Sequence, residues 1–177
     1  MKNNSSVALT EACFLFVDLV DSSAFSSFVG AKEYASWILE FQLTFDSLAR
    51  KYFGDESFIN TAGDEGFAFI PKWVFEPEEA IIKAIYFVFE LKTLVRMNAY
   101  KTYNEDLDDL MPHGLQLAAG IHTGSVTYTN KSIFKDGKHR NVPDKYIGYN
   151  INYAKRVETC SREGMYSHVF LSKEAFD

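Results

Sequence analysis

Two carboxylates stand where apolar strand sequence gives way to polar sequence. Ala12-Cys-Phe-Leu-Phe-Val-Asp-Leu-Val20 is apolar except for Asp18, the pattern of a central strand covered on both faces. A carboxylate in such a run is costly unless it is ligated or hydrogen-bonded. The second acid, Asp64, sits in Gly63-Asp-Glu-Gly66 between the apolar pieces Phe58-Ile59 and Phe67-Ala-Phe-Ile70, which read as two short strands joined by a tight turn. The core behind such a tip holds its carboxylate still; Asp-Gly is also a common turn pair, so the plain turn stays open here. Asn152 and Arg156 lie four apart within a helical pattern and therefore share a face. A guanidinium fork there suits an anionic group, with a salt bridge to Glu163 as the ordinary alternative.

The remaining polar candidates carry less. His122 has no second histidine or cysteine at metal spacing, so a packed strand histidine is expected. The acidic stretch Asn104–Asp109 resembles a calcium ligand set but lacks the glycine and terminal glutamate of an EF-hand loop, and reads as a solvated loop. Cys13 and Cys160 form no disulfide framework and are expected to be packing residues. The net charge of -6 argues against nucleic-acid binding. A polyphosphate ligand would have to be met by local positive groups or by metal. No run approaches the about 18–20 apolar residues of a membrane span, and the first residues lack a signal-peptide core, so no membrane contact and a cytoplasmic location are expected.

The elements that must position these residues follow from periodicity. The chain of 177 residues is expected to form one domain over 1–177, with residues 1–10 frayed. Asp21-Ser-Ser offers an N-cap for a short helix. Ala31 to Phe53 carries Tyr34, Trp37, Ile38, Phe41, Phe45, Leu48 and Tyr52 at spacings of three and four, a long amphipathic helix whose aromatic stripe is core or dimer seam. Pro77-Glu-Glu opens a second, more hydrophobic helix running from 79 to about 100. Leu115 to Gly124 and Ser125 to Thr129 read as two strands with a glycine turn between them. Lys131 to Arg140 is a basic excursion, residues 146–162 a helix, His168 to Ser172 a last strand, and Ser172-Lys-Glu the start of a closing helix. The fold class is α+β, a mixed, mostly antiparallel sheet with packed helices.

These motifs, in this order, resemble the class III nucleotidyl cyclase catalytic domain over about residues 12–176. Phe14-Leu-Phe-Val-Asp18 is similar to the family's first metal-binding strand, and Asn60-Thr-Ala-Gly-Asp64 to its second acidic hairpin. Leu117-Ala-Ala-Gly-Ile-His-Thr-Gly124 resembles its Gly-Ile-His-Thr-Gly motif, and Ile147-Gly-Tyr-Asn-Ile-Asn-Tyr-Ala-Lys-Arg156 its asparagine and arginine helix. The resemblance implies a ferredoxin-like βαββαβ palm working as a head-to-tail homodimer. It implies that Asp18 and Asp64, with the backbone carbonyl of Leu19, hold two divalent metal ions, Mn²⁺ or Mg²⁺. It also implies that Asn152 orients the ribose and that Arg156 stabilises charge on the transferring phosphate.

The chain departs from the purine cyclases at the positions that read the base. Those pair lysine with aspartate for adenine, or glutamate with a small polar residue for guanine; here the positions are Asn60 and Lys145. An arginine of the family is replaced by Ala118, and its C-terminal triphosphate lysine would lie beyond residue 177. The altered positions resemble the bacterial anti-phage pyrimidine cyclases. The expected activity is therefore cyclisation of UTP, or of CTP, to a 3',5'-cyclic monophosphate that acts on a separate effector protein. Asn60, Lys145 and an aromatic of the long first helix, Tyr52, are the expected base-contacting residues. An adenylate or guanylate cyclase with an atypical pocket, or a non-catalytic cyclase-homology domain that only dimerises, are the alternatives.

Overall fold

The computed structural model describes residues 7–103, 116–135, 138–164 and 168–177. The acidic stretch Asn104–Asp109 lies outside the described residues. Strand β1 (Val7–Leu19) is the axis of the sheet; residues 7–10, expected to be frayed, are instead paired with Thr129 to Val126 of the neighbouring strand. Alternate side chains leave opposite faces of a strand. Cys13, Leu15, Val17 and Leu19 accordingly join one core cluster and Phe14 and Phe16 another. Because both faces are covered, the run shows no alternation, and Asp18 falls on the face of Phe14 and Phe16.

The order β2 (Phe58–Ala62), β3 (Glu65–Pro71), β1, β4 (Leu117–Lys135), β5 (Lys138–Ile147) runs across the sheet. β1 is antiparallel to both β3 and β4, and β2 is antiparallel to β3. This is the ferredoxin-like arrangement expected, α+β with a short β6 (Val169–Leu171) added parallel to β4. Helices α1 (Ser22–Val29) and α2 (Ala31–Phe53) cross from β1 to β2, and α3 (Pro77–Tyr103) crosses from β3 to β4. Two further helices, α4 (Tyr149–Ser161) and α5 (Lys173–Phe176), lie later in the chain.

The aromatic stripe of α2 is core. Trp37, Phe41, Phe45, Leu48 and Phe53 are buried against Phe87, Val88 and Leu91 of α3 and the odd-numbered residues of β1. A fully buried ring such as Phe45 contributes about 2–3 kcal/mol of transfer free energy. The other face of the sheet carries Phe14, Phe16 and Phe69, with Ala154 of α4 packed on them.

Several expectations need correction. The strands on either side of Gly124 are one continuous strand, paired with β1 from Leu117 through Thr129. Gly124 makes no turn; a Cβ there would lie 2.4 Å from Asn150 Nδ2, so the glycine makes room for a side chain of α4. Of the basic excursion, residues 131–135 and 138–140 are paired strand backbone of β4 and β5. Asp21 stands at the start of α1 with φ 59 and makes no side-chain cap; its carbonyl accepts from Phe25 N at 3.1 Å instead. Of the two cysteines, Cys13 is buried as expected but Cys160 is exposed.

Candidate active site

The register that pairs β1 with β3 sets Asp18 opposite Glu65. Asp64 stands one residue earlier, in the β2–β3 turn that Gly63 opens with φ +59, a conformation most side chains resist. Helix α2 holds this hairpin from beneath. Gln42 Nε2 donates to the Gly63 carbonyl at 2.8 Å, and the Phe45 ring lies where a Cβ on Gly66 would be. Asp18 is 7% exposed. Its carboxyl is pushed up to about 6, first by burial and next by the charge of Asp64, against the lowering influence of Arg162 and Lys155.

Helix α4 brings the cations. Gly120 lets it settle on β4, since a Cβ there would meet Glu158 N at 2.2 Å. Lys155, Glu158 and Arg162, spaced i, i+3, i+7, then face Asp18. Arg162 Nη2 donates to Asp18 Oδ2, and Lys155 Nζ lies 3.5 Å from the same oxygen and 2.8 Å from Glu65 Oε2. Glu158 is fully buried and accepts from Arg162 Nε at 2.9 Å, with its other oxygen 2.8 Å from Lys155 Nζ. Sequence reasoning assigns no role to Glu65, Lys155, Glu158 or Arg162. The i, i+3, i+7 spacing is a signal for a common face but not for what that face meets.

The residue types at the acid pair fit a hard divalent cation. Asp18 Oδ1 is buried without a hydrogen-bond partner, and two repelling carboxylates are the donors Mg²⁺ or Mn²⁺ prefer. Leu19, whose carbonyl the resemblance implies as a further ligand, ends β1 beside Asp18. Among the described residues no group of three or more His, Cys, Asp or Glu forms a metal cage, so the fit is to this two-acid arrangement alone.

Beside the acids lies a cavity of about 500 Å³. Its walls are Phe16, Phe58, Phe67, Phe69, Tyr146, Ile147 and Ile151, and its polar groups come from Lys145, Asn152 and Lys155. A few polar groups in an aromatic wall are usual for a small-molecule site. Tyr146 packs edge-on against Phe58 and Phe69 at 5.3 and 5.1 Å between centroids. Its hydroxyl is buried unpartnered, its pKa driven up by burial and by Tyr128. Asn60 is exposed, pairs with Phe67 in register and so shares the cavity's face; its Oδ1 accepts from Thr61 N at 2.9 Å. Arg156 is exposed and makes no ion pair among the described residues, Glu163 included. Tyr52 is not brought to the cavity. It is half-buried against the core on the α2–α3 face, its hydroxyl donating to Glu90 at 2.5 Å, because the α2 period points it toward α3.

His122 is buried, as expected of a packed strand histidine. Its Nδ1 lies 2.8 Å from Ser172 Oγ and its Nε2 3.1 Å from Asn150 Oδ1. Asn150 Nδ2 in turn donates to the Ser125 carbonyl at 2.8 Å. These bonds tie the first turn of α4, and so Asn152, to β4.

Residues 5–176 match the adenylate and guanylate cyclase catalytic domain. The chain belongs to this family. Its fold is shared with the adenylyl cyclase CyaB of P. aeruginosa, with a TM-score of 0.71 at 16% identity over 97% of this chain and 81% of that one. It is shared likewise with the guanylyl cyclase Cya2, with a TM-score of 0.66 at 14% identity over 97% and 78%. The guanylate cyclase domain of RhGC from Catenaria anguillulae, solved in complex with GTP, gives 0.62 at 16% over 96% and 82%. No curated protein matches in sequence. The cyclase fold expected from the motifs is thus the fold found. Among the described residues no helix is long and apolar enough to cross a membrane.

Proposed function

We propose that this cyclase domain converts a pyrimidine nucleoside triphosphate, UTP before CTP, into its 3',5'-cyclic monophosphate and pyrophosphate. The observation that supports the reading is Lys145 on a cavity walled by rings, with Asn60 paired to the wall residue Phe67 on the neighbouring strand. Neither purine pairing is present. Asparagine offers a donor and an acceptor to a uracil edge, and lysine only donates, favouring a carbonyl over an exocyclic amine. A site built to hydrogen-bond one edge rejects a base that leaves its polar groups unpaired.

Bound divalent cations would activate the ribose 3'-hydroxyl and neutralise the leaving pyrophosphate. The chain's own residues do the rest. Asp18, Asp64 and the Leu19 carbonyl hold the cations, Asn152 fixes the ribose, and the Arg156 guanidinium meets the charge on the α-phosphate. Asn152 and Arg156 are exposed, while the approach to Asp18 from the same chain's α4 is filled by Lys155, Glu158 and Arg162. That division favours a head-to-tail homodimer in which each site takes its acids from one subunit and Asn152 and Arg156 from the other. Resemblance to the anti-phage pyrimidine cyclases supports a signalling role in anti-phage defence inside the cytoplasm, with the product received by a separate effector.

Adenylyl and guanylyl cyclases of the same fold keep a purine product as the second reading. Incubating the protein with each of the four triphosphates and Mn²⁺ and identifying the products decides between them. Cyclic UMP as the main product is expected, and a purine product would overturn the reading.

A further inference from the structure

We propose that Arg162 is a gate on the metal site: its guanidinium occupies Asp18 in the metal-free chain, and a divalent cation has to displace it. The inference rests on the metal-dependent reading above and adds a competitor within the same chain. Asp18 Oδ2 is engaged by Arg162 Nη2 with Lys155 Nζ behind it, and only Oδ1 is left unpartnered. Arg162 gives Asp18 one nitrogen, Nη2 to Oδ2, and gives its Nε to Glu158. A cation could reach Oδ1 past it, but two cations would need both carboxylate oxygens, and Oδ2 cannot serve the guanidinium and a cation at once.

The surroundings let the guanidinium leave. Arg162 follows the last residue of α4, and its side chain is 38% exposed, so it can swing into water. Its departure would ordinarily strand Glu158, a fully buried acid, and an uncompensated buried charge is strongly destabilising. Lys155 limits this by its charge: its Nζ lies 2.8 Å from Glu158 Oε2, an ion pair without hydrogen-bond geometry, and donates to Glu65 at 2.8 Å. The buried acid has two cations and needs one. A plain strut tying α4 to β1 has no use for that redundancy; a cation that must yield Asp18 on demand does.

The test measures Mn²⁺ affinity of the full chain without nucleotide, by electron paramagnetic resonance of free Mn²⁺ and by calorimetry. Arg162→Gln removes the competitor and is expected to tighten Mn²⁺ binding about tenfold, while Asp18→Asn loses that binding. An affinity equal to or weaker than wild type in Arg162→Gln, with Asp18-dependent binding intact, overturns the gate and leaves the metal site standing. Absence of Asp18-dependent binding in wild type and Arg162→Gln alike overturns both. If Arg162→Gln does not fold, the wild-type chain is titrated with Mg²⁺ while the Arg162 Nε–H resonance is followed. Saturation in step with metal binding is expected, and a resonance unmoved at saturating Mg²⁺ overturns the proposal.

Discussion

Adding one methyl group at Gly120 should separate the helix that carries Asn152 and Arg156 from the strand that supports it. In Gly120→Ala the new Cβ would stand 2.2 Å from Glu158 N, 2.7 Å from Glu158 Cα and 2.8 Å from the Ala154 carbonyl oxygen. Non-bonded contacts of carbon settle near 3.5–4.0 Å, so α4 must retreat by about 1 Å or more. The obstacle is helix backbone, and no side-chain rotation can relieve it. Overpacking of this kind costs about 1–3 kcal/mol. The upper end corresponds to a melting point lowered by roughly 6–12 °C in a domain of this size. A displacement of about 1 Å in a positioning element costs about 100-fold in turnover. Gly124→Ala is the matched control. Its Cβ meets the amide of Asn150 at 2.4–2.6 Å, and that side chain can turn away, forfeiting its bonds to Ser125 and His122 at about 1–2 kcal/mol. Thermal denaturation and cyclase kinetics of both variants check the order. If Gly120→Ala melts within about 2 °C of wild type and keeps its kcat/KM, the close seating of α4 on β4 is refuted.

The shared-site dimer predicts that inactive Asp64→Ala and Arg156→Ala chains regain activity when mixed, because one heterodimer site recovers all its groups. Continued inactivity in samples shown to exchange subunits would sink the model. Lys145→Ala and Asn60→Ala should each lower the UTP-to-CTP ratio of kcat/KM, by about tenfold for one lost hydrogen bond of this kind; an unchanged ratio in both moves selectivity to other groups. Asp18 predicts a pH effect on the metal-free chain in EDTA. Its carboxyl rises from 3.8 to about 6 on folding, through burial first and Asp64 second. The folded state therefore holds this proton more tightly than the unfolded one. Its contribution is fully present below about pH 4 and lost as pH rises through about 6. Two units are worth about 3 kcal/mol, which solvent at the mouth of the site reduces to about 1–2 kcal/mol. Urea unfolding of wild type and Asp18→Asn at pH 5 and 7.5 should show the asparagine variant gaining ground at the higher pH, and an equal difference at both values contradicts the assignment.

What can be read from sequence is whatever a single element states about itself. The unbroken run from Ala12 to Val20 announces a strand covered on both faces, and the three-and-four spacing from Tyr34 to Tyr52 announces a core helix. Both stand in the structure with the acids at the expected strand ends. The same α2 period argues against Tyr52 as a base contact, because a stripe position turns toward the core and Tyr52 meets Glu90 and Phe87 there. Gly124 misleads for a related reason. A glycine between two apolar stretches reads as a turn when only neighbours in sequence are considered, whereas this one is vacated for Asn150, twenty-six residues later. The cation network around Asp18 is less legible still. Lys155, Glu158 and Arg162 declare a common helix face by spacing alone, but a face has no target until another element supplies one. The target arises from two placements, the β1–β3 register that sets Asp18 beside Glu65 and the bare backbone of Gly120 that lets α4 come down over them. A methyl group at that glycine would therefore act on the acid pair's cations as well as on Asn152. Gly120, which carries no functional group, couples Asp18 and Glu65 to the helix proposed to hold the ribose.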